Sequence, residues 1–122
     1  PQSPSEVVDS FFKALNSKNH INLEKLCLKD LQLHSLKLKT TKIVTTQTID
    51  DFLKGISSIP AETKIFEKIT SKESIVTAHL AQFSLPYSFY VNGKLSHSGI
   101  NVITLLNTEE GWKISYIADT RD

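Results

Sequence analysis

Pro86-Tyr87-Ser88-Phe89-Tyr90-Val91-Asn92-Gly93-Lys94-Leu95-Ser96-His97-Ser98-Gly99 is the stretch that decides the fold. Asn92 and Gly93 both accept the positive φ that a type I′ turn demands, so the runs on either side fold back on each other as antiparallel strands. The upstream run reaches back to Ser74 and the downstream one continues from Leu95 to Leu106. A shorter run from Thr63 to Thr70 precedes them, and a turn at Glu109-Glu110-Gly111 leads into a last run from Trp112 to Thr120. Pro86 removes a ladder donor from the long run and predicts a bulge or an exposed edge there, a device that bends a sheet around a cavity.

Working outward toward the N-terminus, Ser3-Pro4-Ser5-Glu6 spells a helix start: a cap, a proline suited to the first turn, and a glutamate placed to complete a capping box. Val7, Val8, Phe11, Phe12 and Leu15 then form one wide apolar stripe at helical spacing. The polar break Asn16-Ser17-Lys18-Asn19 ends it, and Ile21, Leu23, Leu26 and Cys27 predict a short second helix. Leu31 to Leu38 reads as a strand of about eight residues. Thr48-Ile49-Asp50-Asp51 opens a third helix, with Phe52, Leu53 and Ile56 on its apolar side, that stops before Pro60. The expected fold class is α+β: a cone-like, strongly bent antiparallel sheet packed against N-terminal helices, enclosing a pocket, in one domain over residues 1–122.

Composition narrows the function classes. The chain has 122 residues, 39% of them apolar, enough for one core and not for two. Lys and Arg total 14 against 13 for Asp and Glu, and Arg121 is the only arginine, so nucleic acid is not the expected partner. Lys37, Lys39 and Lys42 fit the solvated face or edge of a strand. Cys27 is the only cysteine, flanked by Leu26 and Leu28, and reads as a small buried hydrophobe; it permits neither an internal disulfide nor a cysteine-based zinc cluster. His20, His34, His79 and His97 lack metal-ligand spacing, and no phosphate loop or dinucleotide fingerprint is present, so no metal and no cofactor are expected. No run is long and apolar enough to span a membrane. The chain opens at Pro1 rather than Met, which leaves the compartment open between cytoplasm and export after loss of a leader.

Pro86 to Tyr90, Asn92-Gly93-Lys94, Ser96-His97-Ser98-Gly99, Gly111-Trp112-Lys113-Ile114 and Asp119-Thr120-Arg121, with the opening Glu6-Val7-Val8-Asp9-Ser10-Phe11-Phe12, resemble the nuclear transport factor 2-like superfamily, which has a cystatin-like fold. The likeness is greatest to small bacterial members described as lumazine-binding-like or of unknown function. The resemblance implies a cone-shaped homodimer paired through the outer sheet face and a pocket between sheet and helices for a small, largely apolar ligand. Fold alone does not carry activity: the superfamily holds isomerases, cyclases, dehydratases, association domains and plain binding proteins. Its steroid isomerases use a carboxylate base on an early strand; here that strand offers Gln32, His34 and Ser35. The long strands carry no acid between Glu73 and Glu109, so steroid-isomerase chemistry is not expected. In the resembling bacterial proteins the stretch after the hairpin often reads His-x-Gly-x-Asp, and here Asn101 stands where the acid would be.

His97, Gly99, Asn101, Ile103 and Leu105 share one strand face. His97 is a candidate catalytic base or ligand contact, and Asp119 a candidate base as the one carboxylate expected to enter a pocket from the sheet; an ion pair with Arg121 is the structural alternative. Tyr87, Phe89, Phe83 and His79 share a parity that serves a pocket wall if it faces inward and a dimer surface if outward. Trp112, Ile114 and Tyr116 alternate as core residues do. The candidate ligand contacts are His97, Tyr87, Asn101, His34, Tyr116 and Phe12. Three functions stay open: a small-molecule binder, an enzyme of the cyclase, isomerase or dehydratase kind using His97 or Asp119, and a non-enzymatic dimerisation module.

Overall fold

In a computed structural model, which describes residues 2–122, helix α1 spans Pro4–Asn16 and starts on the capping box that its sequence spells. Ser3 Oγ accepts from the Glu6 N–H at 3.2 Å, and Glu6 Oε1 accepts from the Ser3 N–H at 2.9 Å. Its apolar stripe, Val7, Val8, Phe11, Phe12 and Leu15, is buried. Helix α2 (His20–Leu26) follows, and strand β1 (Cys27–Leu38) begins at the next residue. Cys27 thus opens a strand instead of ending a helix, and β1 is longer than the leucine pattern predicts. The cysteine is nonetheless buried, and burial pushes its thiol up to about 12.

One strand has no counterpart in the sequence reading. Lys42-Ile43-Val44-Thr45-Thr46-Gln47-Thr48 forms β2 (Lys42–Thr48), antiparallel to β1, so Lys37 and Lys42 sit at the two sides of a hairpin whose turn holds Lys39. Helix α3 (Ile49–Ser57) follows at once, capped by Thr48 and Asp51, and buries Ile49, Leu53 and Ile56. The sheet is completed by β3 (Ile65–Ile69), β4 (Glu73–Val76), β5 (Leu80–Val91), β6 (Lys94–Thr108) and β7 (Gly111–Arg121). The long run from Ser74 is two strands, because Thr77 folds back on Leu80: its N–H donates to the Leu80 carbonyl at 2.8 Å, and its Oγ1 accepts from the Leu80 N–H at 3.0 Å. His79 is exposed in that turn. Asn92 and Gly93 turn the next hairpin at φ 51° and 80°, as their identities predict.

Strand order is β2-β1-β7-β6-β5-β3, with β4 on the same edge as β3 but paired to the first half of β5, Ala81 to Ser84, where β3 pairs the second half. The sheet is mixed, not purely antiparallel: β7 lies between β6 and β1 and runs parallel to β1. Parallel neighbours need a long connection, and here the whole chain between Leu38 and Gly111 supplies it. The sheet is strongly curled and unclosed, with helices against its concave face.

Two local devices decide which side chains face inward. Pro86 produces no bulge: it pairs with Ile100, and Ala81, Phe83, Leu85 and Tyr87 stay buried on one parity through it. Its carbonyl accepts from the Thr70 N–H at 2.9 Å, so its missing N–H faces the gap between β3 and β4. No ladder bond is lost there. A bulge lies instead on β7, where Leu105 pairs with Ile114 and Thr104 with Tyr116, leaving Ser115 as an extra residue. Ile114 is buried before it and Ile117 after it, so inward parity changes across Ser115.

Candidate functional site

The helices do not fill the concave face. Between α1, α3 and the sheet lies a cavity of about 140 Å³. Phe11, Phe12, Phe52, Leu33 and Ile103 make its apolar walls, with Phe11 and Phe52 stacked at 6.2 Å. At its other end stand Glu67 from β3, His97 and Asn101 from β6, and Asp119 and Arg121 from β7.

Glu67 is the residue that sequence reasoning missed. It lies on an edge strand whose outward amides would be open, and Asn16, the last residue of α1, seals that edge: its Oδ1 accepts from the Glu67 N–H at 2.8 Å and its Nδ2 donates to the Glu67 carbonyl at 3.4 Å. With its backbone clamped, Glu67 aims its carboxyl inward, where Asn101 Nδ2 donates to Oε2 at 2.7 Å. Burial pushes this carboxyl up to about 7; the Asn101 hydrogen bond opposes the shift, Asp119 adds to it, and Arg121 opposes it. The alternation Ile65, Glu67, Ile69 is the one sequence signal that could have revealed it, because two isoleucines flank an acid on their own parity.

The Ser115 bulge brings Asp119 and Arg121 to the cavity, and it turns Tyr116 away. Asp119 pairs with Asn101 across the β6–β7 ladder, and its side chain is only 11% exposed. Arg121 Nε approaches Asp119 Oδ1 at 3.6 Å, the expected ion pair, although neither atom has a hydrogen-bond partner among the described residues. Two carboxylates therefore face the cavity, Asp119 and Glu67, and not Asp119 alone.

His97 packs between Phe89 (5.0 Å between ring centres) and Tyr87 (5.7 Å, edge-on), and Ser96 Oγ lies 3.2 Å from its Nδ1. Burial lowers its pKa, the Arg121 guanidinium lowers it further, and Asp119 and Asp122 oppose both. The imidazole is accordingly neutral at physiological pH. Tyr87 faces inward with Phe83 and Phe89, which closes the parity question for these three, but its hydroxyl is committed: it donates to the Thr120 carbonyl at 2.7 Å. Burial, then Asp119 and Glu67, raise its pKa. Phe12 lines the cavity as expected.

Tyr87 is not among the residues lining the cavity, and two further expected contacts lie on the outer face. Core parity on β1 is Leu31, Leu33 and Ser35, so His34 points to the outer face, where its Nδ1 meets the Tyr116 hydroxyl at 2.9 Å. Both residues are removed from the candidate site, His34 by strand alternation and Tyr116 by the bulge. Among the described residues no three His, Cys, Asp or Glu side chains gather to hold a metal ion, and no helix is long and apolar enough to cross a membrane.

No known family profile and no curated protein matches the chain. Solved structures do. A nuclear transport factor 2-like protein from Cytophaga hutchinsonii superposes with a TM-score of 0.76 at 12% identity, covering 99% of this chain and 100% of its own. A protein of unknown function with a cystatin-like fold from Nostoc punctiforme gives 0.73 at 9% identity, over 97% of this chain and 87% of its own. A member of the nuclear transport factor 2-like family from Streptomyces avermitilis, provisionally described as a dehydratase, gives 0.71 at 15% identity, over 97% and 92%. With three helices on a curled, unclosed mixed sheet and these superpositions along nearly its whole length, the chain has the nuclear transport factor 2-like, or cystatin-like, cone fold.

Proposed function

We propose that this chain is a small-molecule-binding domain whose ligand occupies the cavity between α1, α3 and the curled sheet. The observation that carries the reading is the division of the cavity into aromatic and aliphatic walls and one polar end, where Glu67, Asn101, Asp119, Arg121 and His97 meet. That division is the usual make-up of a ligand site, in which apolar area supplies affinity and a few polar groups fix orientation. A volume of about 140 Å³ is close to the ~150 Å³ of engineered apolar cavities that hold benzene. The fitting ligand is compact, a single ring and its substituents. A cone filled by its own side chains, the association-module reading, is disfavoured by the same cavity. Native mass spectrometry of the purified chain, gentle against denaturing, tests the proposal: a small retained mass supports it. An empty protein whose Phe12 and Phe52 resonances do not respond to benzene overturns it.

A second reading rests on Glu67. A carboxyl that titrates near neutrality inside an apolar cavity, beside a second carboxyl and a neutral imidazole, is suited to moving a proton at a bound carbonyl compound. Glu67 takes the role of base there in place of His97 or Asp119, and the dehydratase description of the Streptomyces protein is in keeping with this class. Turnover that Glu67→Gln abolishes would favour it over simple binding.

A second copy of the chain is the partner proposed for the outer sheet face. Leu36, Val44, Ile100, Val102 and Ala118 form an almost wholly apolar groove there, with Val44 63% and Ile100 46% exposed. Sedimentation of wild type against Val44→Glu tests it: a dimer that the variant converts to monomer supports the pairing, and a monomeric wild type overturns it.

A further inference from the structure

Asp119 and Arg121 stand two residues apart on β7 and face the same cavity, and neither side chain makes a hydrogen bond with any described residue. Their one mutual contact, Nε to Oδ1 at 3.6 Å, turns those two atoms toward each other and shuts them from solvent. Oδ2 of the carboxylate and the two Nη groups of the guanidinium are left to meet whatever enters. A buried carboxylate without hydrogen bonds is costly, so a site that keeps one has a use for its free lone pairs.

The residue between them is held unusually firmly. The Thr120 carbonyl accepts from the Tyr87 hydroxyl, and the Thr120 Oγ1 accepts from the Ile100 N–H at 3.0 Å. Gly99 leaves room for that carbonyl, which would stand 1.9 Å from a Cβ at position 99. The spacing of acceptor and donor at the cavity is therefore built into the backbone and does not depend on a flexible loop.

We infer that the ligand of this cavity presents a neutral cyclic-amide edge, an N–H and a C=O on adjacent ring atoms, with the N–H donating to Asp119 and the C=O accepting from Arg121. The inference rests on the cavity being the ligand site. Opposite charges side by side select against both kinds of ion: an anion is repelled by Asp119, and a cation by Arg121. A single hydroxyl or ether oxygen leaves one partner unmatched, whereas a lactam or cyclic urea matches both, and planar rings suit walls made by Phe11, Phe12 and Phe52. Donor and acceptor must both be read, because an unpaired polar group in such a place is penalised.

Three probes of similar size separate this inference from the pocket reading: benzene, 2-pyridone and N-methyl-2-pyridone, each titrated into the whole chain and followed by NMR. The expected result is that 2-pyridone binds at least tenfold more tightly than either of the others. Arg121→Leu, a change to a half-exposed side chain without hydrogen bonds, is expected to reduce that preference below twofold, and Asp119→Asn to reduce it as well, while both variants keep the wild-type spectrum elsewhere. Binding of benzene with no preference for 2-pyridone overturns the inference and leaves the pocket. A preference that survives both substitutions overturns it too. If none of the three probes binds, the pocket reading fails and the inference fails with it.

Discussion

Asn101 and Glu67 are joined at 2.7 Å although their strands are not neighbours: β5 lies between β6 and β3, and the bond reaches over it across the hollow of the sheet. That geometry keeps Glu67 out of water and sets a pH dependence. Its pKa rises from an ordinary carboxyl value in the unfolded chain to about 7 in the folded one. Between those values the folded state holds the proton and the unfolded state has lost it, so stability is full below pH 4, falls as pH rises, and levels off above about pH 7. The ceiling on that loss is about 3 kcal/mol. Glu67→Gln retains an acceptor for Asn101 and is expected to be as stable as wild type at pH 4 and more stable at pH 8. Denaturant unfolding at the two pH values checks this, and equal slopes for both proteins would refute it.

Tyr87→Phe is expected to cost about 1 kcal/mol, since it removes one hydrogen bond and keeps the ring against His97. The loss should be local. Amide exchange at residues 119–122 should accelerate while exchange in α1 and α3 changes only in step with global stability.

Gly99→Ala should be far more damaging than its single methyl suggests. The new Cβ would lie 1.9 Å from a backbone oxygen that is itself fixed by Tyr87, so backbone and not a side chain must move. A destabilisation of about 3 kcal/mol is expected, at the upper end for overpacking. Chemical denaturation of the variant measures it, and a loss below 1 kcal/mol would mean that β6 and β7 separate easily at this point.

The His97 imidazole should titrate below the usual histidine value when followed by NMR. Because burial is the larger cause and Arg121 the second, Arg121→Leu is expected to raise the midpoint only in part. Full restoration would assign the shift to charge instead of burial.

Helix starts, hairpin turns and the apolar stripe of α1 were legible in the sequence because each is settled within a few residues: Ser3 with Glu6, Thr48 with Asp51, Asn92 with Gly93. So were the shared face of His97 and Asn101 and the ion pair of Asp119 with Arg121. What escaped depends on partners far along the chain. The parallel pairing of β7 with β1 leaves no periodic trace in either strand. The Ser115 bulge is defined only by its opposite numbers Thr104 and Leu105, and without it strand alternation sends Tyr116 inward after Ile114. Glu67 looks like a surface charge on a short strand until Asn16 and Asn101, one 51 residues before it and the other 34 after, are set beside it.

The placement of β7 bears on how the molecule comes into being during synthesis. β7 follows every other described strand in the chain and yet is a central one, bonded on one side to β6 and on the other to β1. Until it has left the ribosome, β1 with β2 and β6 with β5 are two separate pieces with unpaired inner edges. Such edges are sticky, and pairings between distant parts of a chain form slowly. A nascent chain that has not reached β7 is therefore the form in most need of a chaperone, and premature termination anywhere in β7 should yield an insoluble product, not a shorter working domain.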